Sequence, residues 1–598
     1  MKIKVSEYIA NFLAQSGIKH VFTVTGGGAM HLNDAFGHHL SLQCIYHHHE
    51  QACAIAAEGY TRLSGSLSVV CVTSGPGGTN AITGVLGGWL DSIPMFVISG
   101  QVKRETTTWA TSVPLRQLGD QEYQIIESIK PMTKYAQMIT EPNEIRYHLE
   151  KALYLSKAGR GGPVWLDIPL DVQAAIVDTE ELKGFEETEC SSTETPHFEE
   201  WLTGQVIEKI RRAKRPVILA GTGIRLADAH KEFLEVVEQL QIPVVTAWNA
   251  HDLLPDAHPI NCGRPGTVGT RGGNFVIQNS DLLLVLGCRM NLRMISYNYK
   301  DFAKEAYKII VDIDPNELKK PTIKADLPIC ADVKEVLQSL HAFGYISTNE
   351  EHKKWLDWSS HLNKKYPAVL PQYYETSKPL NPYVFIKELF ENLEPGEKVV
   401  CGNGSACVIT FQAAIIKENQ RLFTNSGCAA MGYGFPAAIG ACVAGNHERV
   451  ICIDGDGSFQ MNLQELQTVV HHHMNLKIIY INNNGYHSIR QTQRNLFKPP
   501  LVGVCSDNGI SFPDIEKIAY AYGIRFVRID CIEQIQEKLK EVMEEDEPVI
   551  CEVVVDPEQS FEPKLSSKVL PDGTIVSPPL DDMFPFLSRE EYEKNRYE

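Results

Sequence analysis

No stretch approaching the roughly 18 consecutive apolar residues of a membrane-spanning helix occurs in this chain. Its fifteen cysteines include no CxxC pair, which removes zinc ribbons and dithiol redox motifs from consideration. Several of them, Cys71, Cys442, Cys452 and Cys551, lie inside apolar runs, so the expectation is buried, reduced thiols in a cytoplasmic protein. Positive charge is scarce too: 56 Lys and Arg stand against 74 Asp and Glu, a net −18, and no basic patch offers a surface to nucleic acid or an anionic membrane. There is no short repeat of the solenoid kind. The opening MKIKVSEYIANFLAQSGIKHVF reads as an amphipathic helix leading to a strand, not as a signal peptide. What is present is an ordinary globular composition, 43% hydrophobic and 22% charged, over 598 residues. That length exceeds one core and predicts about three or four domains.

Two α/β blocks flank a third. Residues 1–180 alternate short apolar strands at 69–72, 95–99 and 164–168 with helical stretches, the pattern of a mostly parallel sheet with helices on both faces. An acidic, Ser/Thr-rich linker follows. A middle block over 200–345 places strands at 217–220, 243–246, 282–286 and 308–313, and a polar connection leads to the third block, 375–557. Residues 558–598 form a Pro-bearing tail, read as too irregular for a domain.

The most informative segment is 455–484, GDGSFQMNLQELQTVVHHHMNLKIIYINNN. Asp456 lies between two glycines after the apolar run 450–453, where a buried strand turns into a helix. Met461, Leu463, Leu466, Val470 and Met474 recur at roughly helical spacing, and 476–481 is a second short strand. A strand, crossover helix and parallel strand bring both strands' C-terminal ends to one sheet edge, so Asp456 and Asn483 can converge. One carboxylate, one amide oxygen and a loop carbonyl suit Mg²⁺, and the flanking glycines and helix start favour a phosphate. Each turn alone is ordinary connecting chemistry. Their pairing across a strand, a helix and a strand is what makes a site.

GDG followed by NN in this arrangement resembles the signature of thiamine diphosphate enzymes, and the neighbouring sequence is similar to the acetolactate synthase family over nearly the whole chain. The resemblance implies three α/β domains: the first and third in the thiamine diphosphate-binding fold, binding the cofactor's pyrimidine and diphosphate, and a Rossmann-like middle domain that carries FAD or ADP in some relatives. It implies that Asp456, Asn483 and the Gly485 carbonyl hold Mg²⁺. Gly455, Gly457, Ser458, Tyr486 and His487 would belong to the same cofactor site, with Gly404 and Ser405 adding diphosphate contacts. In NSGCAAMGYGFPAAIGA, the Ala429 carbonyl would accept from the cofactor's amino group and Met431 would wedge beneath its rings. A methionine among small residues is otherwise plain core packing. In the first block, Gly26, Gly27 and Gly28 resemble the glycine turn beside the pyrimidine, and SGPGGTN, with Pro76 and Asn80, resembles the next turn, though Gly75 and Gly77 also suit a tight strand-to-helix connection.

The second decisive segment is HHHEQACAIAAEGYTR. Glu50 follows a strand-like run and opens an Ala-rich helix, where an acid satisfies the macrodipole without further purpose. The functional reading is an acid in an apolar pocket that shares a proton with a heterocycle nitrogen. The family's HEQ pattern falls on His49, Glu50 and Gln51, which implies that Glu50 activates the cofactor, while Gln101 in ISGQV matches a glutamine at the reacting centre. The resemblance further implies that Glu50 and the diphosphate site come from different subunits of a homodimer or homotetramer. The histidines at 47–49 and 471–473 lack a matching acid or cysteine set, and the second group reads as the solvated end of a helix.

The reaction implied is decarboxylation of a 2-oxo acid, pyruvate first, with the acyl unit passed to a carbonyl acceptor. Here the chain departs from the family pattern. Where biosynthetic members carry a Trp, GYHSIRQTQRN places Thr492 one turn after Ser488; where they carry a Phe before QE, LGDQEY places Asp120. Together with His49 these residues predict a larger, more polar pocket, suited to a keto-sugar nucleotide receiving an acetyl unit. The tail is reminiscent of thiamine enzymes in surface-polysaccharide pathways. A flavin-dependent oxidase, a C–C hydrolase, a simple decarboxylase and an inactive homologue are the alternatives, and intact Glu50, Asp456 and Asn483 speak against the last. In the middle block 263–273, 287–293 and 312–317, with Arg289, lie where flavin-binding relatives touch FAD.

Overall fold

The computed structural model describes residues 1–193, 197–569, 572 and 574–597. Three parallel sheets, each covered by helices, dominate the fold. The first holds β1 (His20–Thr23), β2 (Gln43–Tyr46), β3 (Val69–Val72), β4 (Met95–Gln101), β5 (Tyr135–Met138) and β6 (Pro163–Pro169). The second holds β7 (Pro216–Ala220), β8 (Val244–Thr246), β9 (Leu282–Leu286), β10 (Tyr307–Asp312) and β11 (Leu327–Cys330). The third holds β12 (Lys398–Cys401), β13 (Arg421–Phe423), β14 (Val450–Gly455), β15 (Leu476–Asn482), β16 (Arg525–Ile529) and β17 (Val549–Val554). The central strands β3, β4, β6 and β9 are buried throughout, which explains why they read as unbroken apolar runs.

Strand order exposes a duplication that no short repeat announced. The first sheet runs β2-β1-β3-β4-β6-β5 and the third runs β13-β12-β14-β15-β17-β16, the same permutation in two chain segments. The middle sheet runs β8-β7-β9-β10-β11. In each sheet the second strand lies on one side of the first and the third strand on the other, so each has a topological switch point beside its first strand, where α/β proteins open a crevice.

The first and third units share one hydrophobic core. Its axis is the contact between α1 (Glu50–Ser64) and the later helix Gly434–Ala444. These helices approach at backbone distance: a Cβ on Gly440 would clash with the Ala56 carbonyl, and one on Gly59 with the Ala437 carbonyl. The run of small residues in both segments is what permits this.

Three expectations need correction or extension. The stretch after Asp456 is not one helix: a short helical turn, Asp456–Phe459, gives way to a 3₁₀ stretch, Gln460–Glu465, and then to Leu466–His471. Asn462 causes the break, with φ at −132° and its amide donating to the Gly432 carbonyl at 2.7 Å. The tail, although irregular, is docked. Arg271, on α3 (Arg271–Gln278), donates to the carbonyls of Met583 and Pro585; Asn274 donates to Leu580, and Tyr597 packs edge-on against Trp355 at 5.1 Å. Of the second histidine group, His471 and His473 are exposed but His472 is half-buried, its Nε2 enclosed without a hydrogen-bond partner.

Candidate active site

The loops singled out by sequence fall at the switch points. In the first unit these are 26–28 after β1 and 73–80 after β3; in the third they are Gly404 and Ser405 after β12 and 455–458 after β14. Each pair of loops flanks one crevice at the carboxyl ends of its strands.

In the third unit, β14 and β15 pair in parallel with Gly455 opposite Ile481, which puts Asp456 and Asn483 on one edge. The Asp456 carboxylate accepts from Gly457 N (2.7 Å) and Gly485 N (2.9 Å), two bonds that orient it across the two loops. Burial pushes its pKa up to about 6 against the pull of those N–H groups. Asn483 donates to Ser405 Oγ at 3.0 Å, and its own Oδ1 is buried without a partner. Gly485, at φ +132°, offers a carbonyl that accepts from His487 N at 2.9 Å and keeps one lone pair. Gly485 and Gly457 are required sterically: a Cβ on the first would strike the Val504 carbonyl, and on the second the Tyr486 ring. Ser488 Oγ and His487 Nδ1 are likewise enclosed and unpaired. Orphaned buried oxygens beside a carboxylate and N–H groups at a helix start fit a hard divalent cation and a diphosphate. No group of three or more His, Cys, Asp or Glu side chains among the described residues could hold a metal ion, so the candidate set is one acid with an amide and a carbonyl.

The loop 425–432 borders this crevice under several restraints. Asn425 Oδ1 accepts from Cys428 N, Asn403 donates to the Ala430 carbonyl at 2.8 Å, Gly432 N donates to Ser458 Oγ at 2.9 Å, and Asn462 holds Gly432 O. Ala429 sits at φ +54°, and Met431 is 40% exposed, which is not how a core methionine sits.

In the first unit, Glu50 is half-buried at the start of α1, and its Oε2 accepts from Asn80 Nδ2 at 2.9 Å, on α2 (Pro76–Asp91), where Pro76 is the first residue. His49 caps α1 through Nδ1, which accepts from Gln51 N at 3.1 Å. Gly28 N donates to Thr73 Oγ1, and side chains at Gly26 and Gly28 would collide with Thr73 and Ser74. Gly75, at φ +59°, makes the tight turn into α2. An open cavity of about 590 Å³ is lined by Gly27, Gly28, Lys103, Glu105, Asp120 and Gln121 among other residues, all from this unit. Gln101 does not border it. Its amide points inward, donating to Tyr123 O (2.9 Å) and Asp167 Oδ2 (3.0 Å), while burial pushes Asp167 up to about 7. Asp120 is exposed, whereas Ser488 and Thr492 lie on the third unit's helix His487–Leu496, the Thr492 hydroxyl donating to Ser488 O at 3.0 Å. Among the described residues no hydrogen bond joins Glu50 or Asp120 directly to Asp456 or Asn483.

Several functional-looking residues escaped sequence reasoning. Glu122 pins the Asp120 loop by accepting from Thr108 Oγ1 (2.7 Å), Leu118 N (2.8 Å) and Gly119 N (3.1 Å). Asp454, two before Asp456 in β14, is buried with Oδ2 unpaired and a pKa raised to about 7 by that burial. The acid at every second position of IDGDG was the available signal. Arg490 braces the Asn483 and Asn484 carbonyls at 3.0 and 2.7 Å. A buried network also ties the first and third units: Arg62 bridges Glu58 and Asp91, Tyr433 and Asn425 donate to Glu58, and Asp91 accepts from Ser426 N and Gly427 N.

A second cavity, about 420 Å³, opens at the middle sheet's switch point. Gly221–Gly223 after β7, Gly287–Asn291 after β9, Asp312 at the end of β10, and Arg62, Asp91 and Arg160 from the first unit line it. Trp248 Nε1, on its wall, is buried and unpaired. The segments 287–293 and 312–317 reach this cavity; 263–273 does not, since Arg264 is held by Asp256 and the Phe411 carbonyl, and Arg271 by the tail.

Known proteins share this architecture. Family models described as the thiamine pyrophosphate enzyme N-terminal TPP binding domain, central domain and C-terminal TPP binding domain match residues 3–124, 203–340 and 402–553. A probable acetolactate synthase large subunit of Methanocaldococcus jannaschii is 32% identical, the match covering 94% of this chain and 93% of that protein. The acetolactate synthase large subunit of Lactococcus lactis is 31% identical over 95% and 96% of the two chains, and the isozyme 1 large subunit of Escherichia coli is 30% identical over 93% and 95%.

Proposed function

The chain belongs to the thiamine pyrophosphate enzymes, on the acetolactate synthase-like branch, and from that premise we propose that it decarboxylates a 2-oxo acid, pyruvate first, and joins the acyl unit to a carbonyl acceptor. The observation that carries this reading is the meeting of Asp456 with the unpaired Asn483 Oδ1 and the half-used Gly485 carbonyl at one sheet edge.

Asp456, Asn483 and the Gly485 carbonyl would hold Mg²⁺, and the helix starts at Ser405 and Asp456 would receive the diphosphate. Bound thiamine diphosphate supplies an electron sink for the carbon that loses CO₂. The rest is the chain's own work. Glu50 would exchange a proton with the cofactor's pyrimidine, its carboxyl oriented by the Asn80 amide that donates to it. The restrained loop 425–432 would present the Ala429 carbonyl and the Met431 side chain to the rings.

Active sites form between two copies, giving a homodimer or a homotetramer built as a dimer of dimers. Exposed Trp109, Val113, Leu115 and Leu118 beside the first half-site, and Ile489, Leu496, Phe497 and Val502 beside the second, support burial against a partner. The 420 Å³ cavity is the place for FAD or ADP, with Asp312 suited to a ribose. Absorbance of the purified protein near the flavin bands, and nucleotide released by heat, decide between them. Buried thiols such as Cys71, Cys442, Cys452 and Cys551 fit the reducing cytoplasm.

Asp120, Lys103 and Glu105 on the open cavity favour a second reading of the acceptor: a polyhydroxylated carbonyl such as a keto-sugar nucleotide, in place of a second pyruvate. The test offers pyruvate with and without acceptors, measures CO₂ and identifies the product. Rapid acetolactate formation from pyruvate alone at low concentration overturns the sugar reading. Full cofactor C2 proton exchange in Glu50→Gln overturns the acid assignment.

A further inference from the structure

Glu465 lies nine positions after Asp456, at the end of the 3₁₀ stretch, and is completely buried. Its carboxylate crosses from the third unit to the first: Oε1 accepts from His48 N at 3.0 Å, and Oε2 accepts from Thr468 Oγ1 at 2.7 Å. His48 stands two residues before Glu50, in the turn between β2 and α1, and His49 beside it caps α1. The thiol of Cys53, one turn into α1, is pushed up by burial first and then by the charges of Glu465 and Glu50, so both acids flank the same turn of helix.

We propose that Glu465 is a positioning residue for Glu50: it fixes the His48–His49 turn, and with it the angle at which α1 starts and the rotamer from which Glu50 works. The broken helix now has a purpose. A continuous helix from Asp456 would carry residue 465 along one straight axis, whereas the kink at Asn462 turns it toward the first unit. One ten-residue segment, 456–465, then carries the metal-site acid, the Ser458 and Asn462 clamps on the 425–432 loop, and the clamp on the Glu50 turn. If Glu50 serves a second copy's cofactor, each chain's metal segment holds the acid that works in its partner's site. Burial, opposed by the Thr468 hydroxyl and the His48 and His49 N–H groups, pushes Glu465 up to about 7.

The inference rests on Glu50 being the acid, and its test keeps the two claims apart. In the cofactor-free protein, amide hydrogen exchange of the peptide spanning 47–51 is expected to quicken roughly tenfold in Glu465→Ala and to return near the wild-type rate in Glu465→Gln, whose Oε1 still accepts from His48. In the protein loaded with thiamine diphosphate and magnesium at saturation, C2 proton exchange of the cofactor is expected to slow by roughly tenfold or more in Glu465→Ala, with recovery in Glu465→Gln. In a Glu50→Gln background, Glu465→Ala should add no further loss, because it acts through Glu50. An unchanged peptide 47–51, or additive losses in the double variant, overturns the positioning role. If Glu50→Gln alone leaves exchange intact, the acid assignment fails instead.

Discussion

Replacing Arg62 by methionine probes the joint that holds the 425–432 loop in place. The side chains of Arg62, Glu58 and Asp91 are 7%, 1% and 6% exposed, so solvent screens the cluster little. Arg62 donates to Glu58 through Nε at 3.1 Å and through Nη2, and to Asp91 through Nη2 at 2.9 Å. Methionine fills a similar volume but leaves two buried carboxylates without that cation. Removing one partner of a buried pair costs about 3–5 kcal/mol. Glu58 would keep Tyr433 OH (2.7 Å) and Asn425 (3.2 Å), and Asp91 would keep Ser426 N and Gly427 N (3.1 and 2.8 Å). Four remaining donors place the expected loss near the lower end, about 3 kcal/mol. Urea unfolding of the cofactor-free protein by tryptophan fluorescence measures it, and amide exchange of peptide 425–432 shows whether the loop loosens with it. Glu58→Gln in the same chain should recover part of the loss by removing one buried charge. A cost under about 1 kcal/mol, with the loop unchanged, would refute the view that this network braces the site.

Three further outcomes follow from the geometry. Burial pushes His47 down to about 4, from an ordinary 6.5, so its neutral form favours the fold; that contribution is complete above pH 6.5 and is lost as the pH falls through 4. Its size is on the order of 3 kcal/mol, so the urea midpoint of His47→Gln should fall less steeply than wild type between pH 6.5 and 4, and parallel curves contradict the assignment. Gly440→Ala drives a methyl into the Ala56 carbonyl and should destabilise by about 1–3 kcal/mol, whereas Gly204→Ala, with open space around its Cβ on helix Trp201–Arg212, should stabilise by about 0.5–1 kcal/mol; equal midpoints would contradict the backbone contact. Glu122→Gln removes a buried charge that accepts four hydrogen bonds and should disorder the Asp120 loop, raising the acceptor's KM by roughly tenfold with pyruvate's KM unmoved; a change confined to pyruvate contradicts that role.

What was legible in the sequence was whatever depends on short-range pattern. Buried strands such as β3 and β9 are unbroken apolar runs and were placed to the residue. GDG and NN fall on adjacent parallel strands because strand, crossover and strand leave few alternatives. Edge strands β5, β11, β13 and β16 went unplaced: they are three to five residues long and carry Gln137, Pro328, Arg421 and Arg528 in place of a continuous apolar run. The helix break at Asn462 depends on a carbonyl 30 residues away, and no local propensity announces it. Likewise Glu58, Arg62 and Asp91 look like surface charges on two helices, and only the packing of the first unit against the third turns them inward. The tail's docking was hidden for a related reason, since it is held through backbone carbonyls that any sequence supplies.

The central claim, that Asp456 and Asn483 build a metal and diphosphate site, is tested most directly by titrating thiamine diphosphate into the protein by calorimetry with Mg²⁺ and with a chelator, in wild type and in Asp456→Asn. Tight binding that needs the cation is expected, with a loss of roughly 100-fold or more in the variant. Equal affinity in both proteins, or binding indifferent to the chelator, would contradict it.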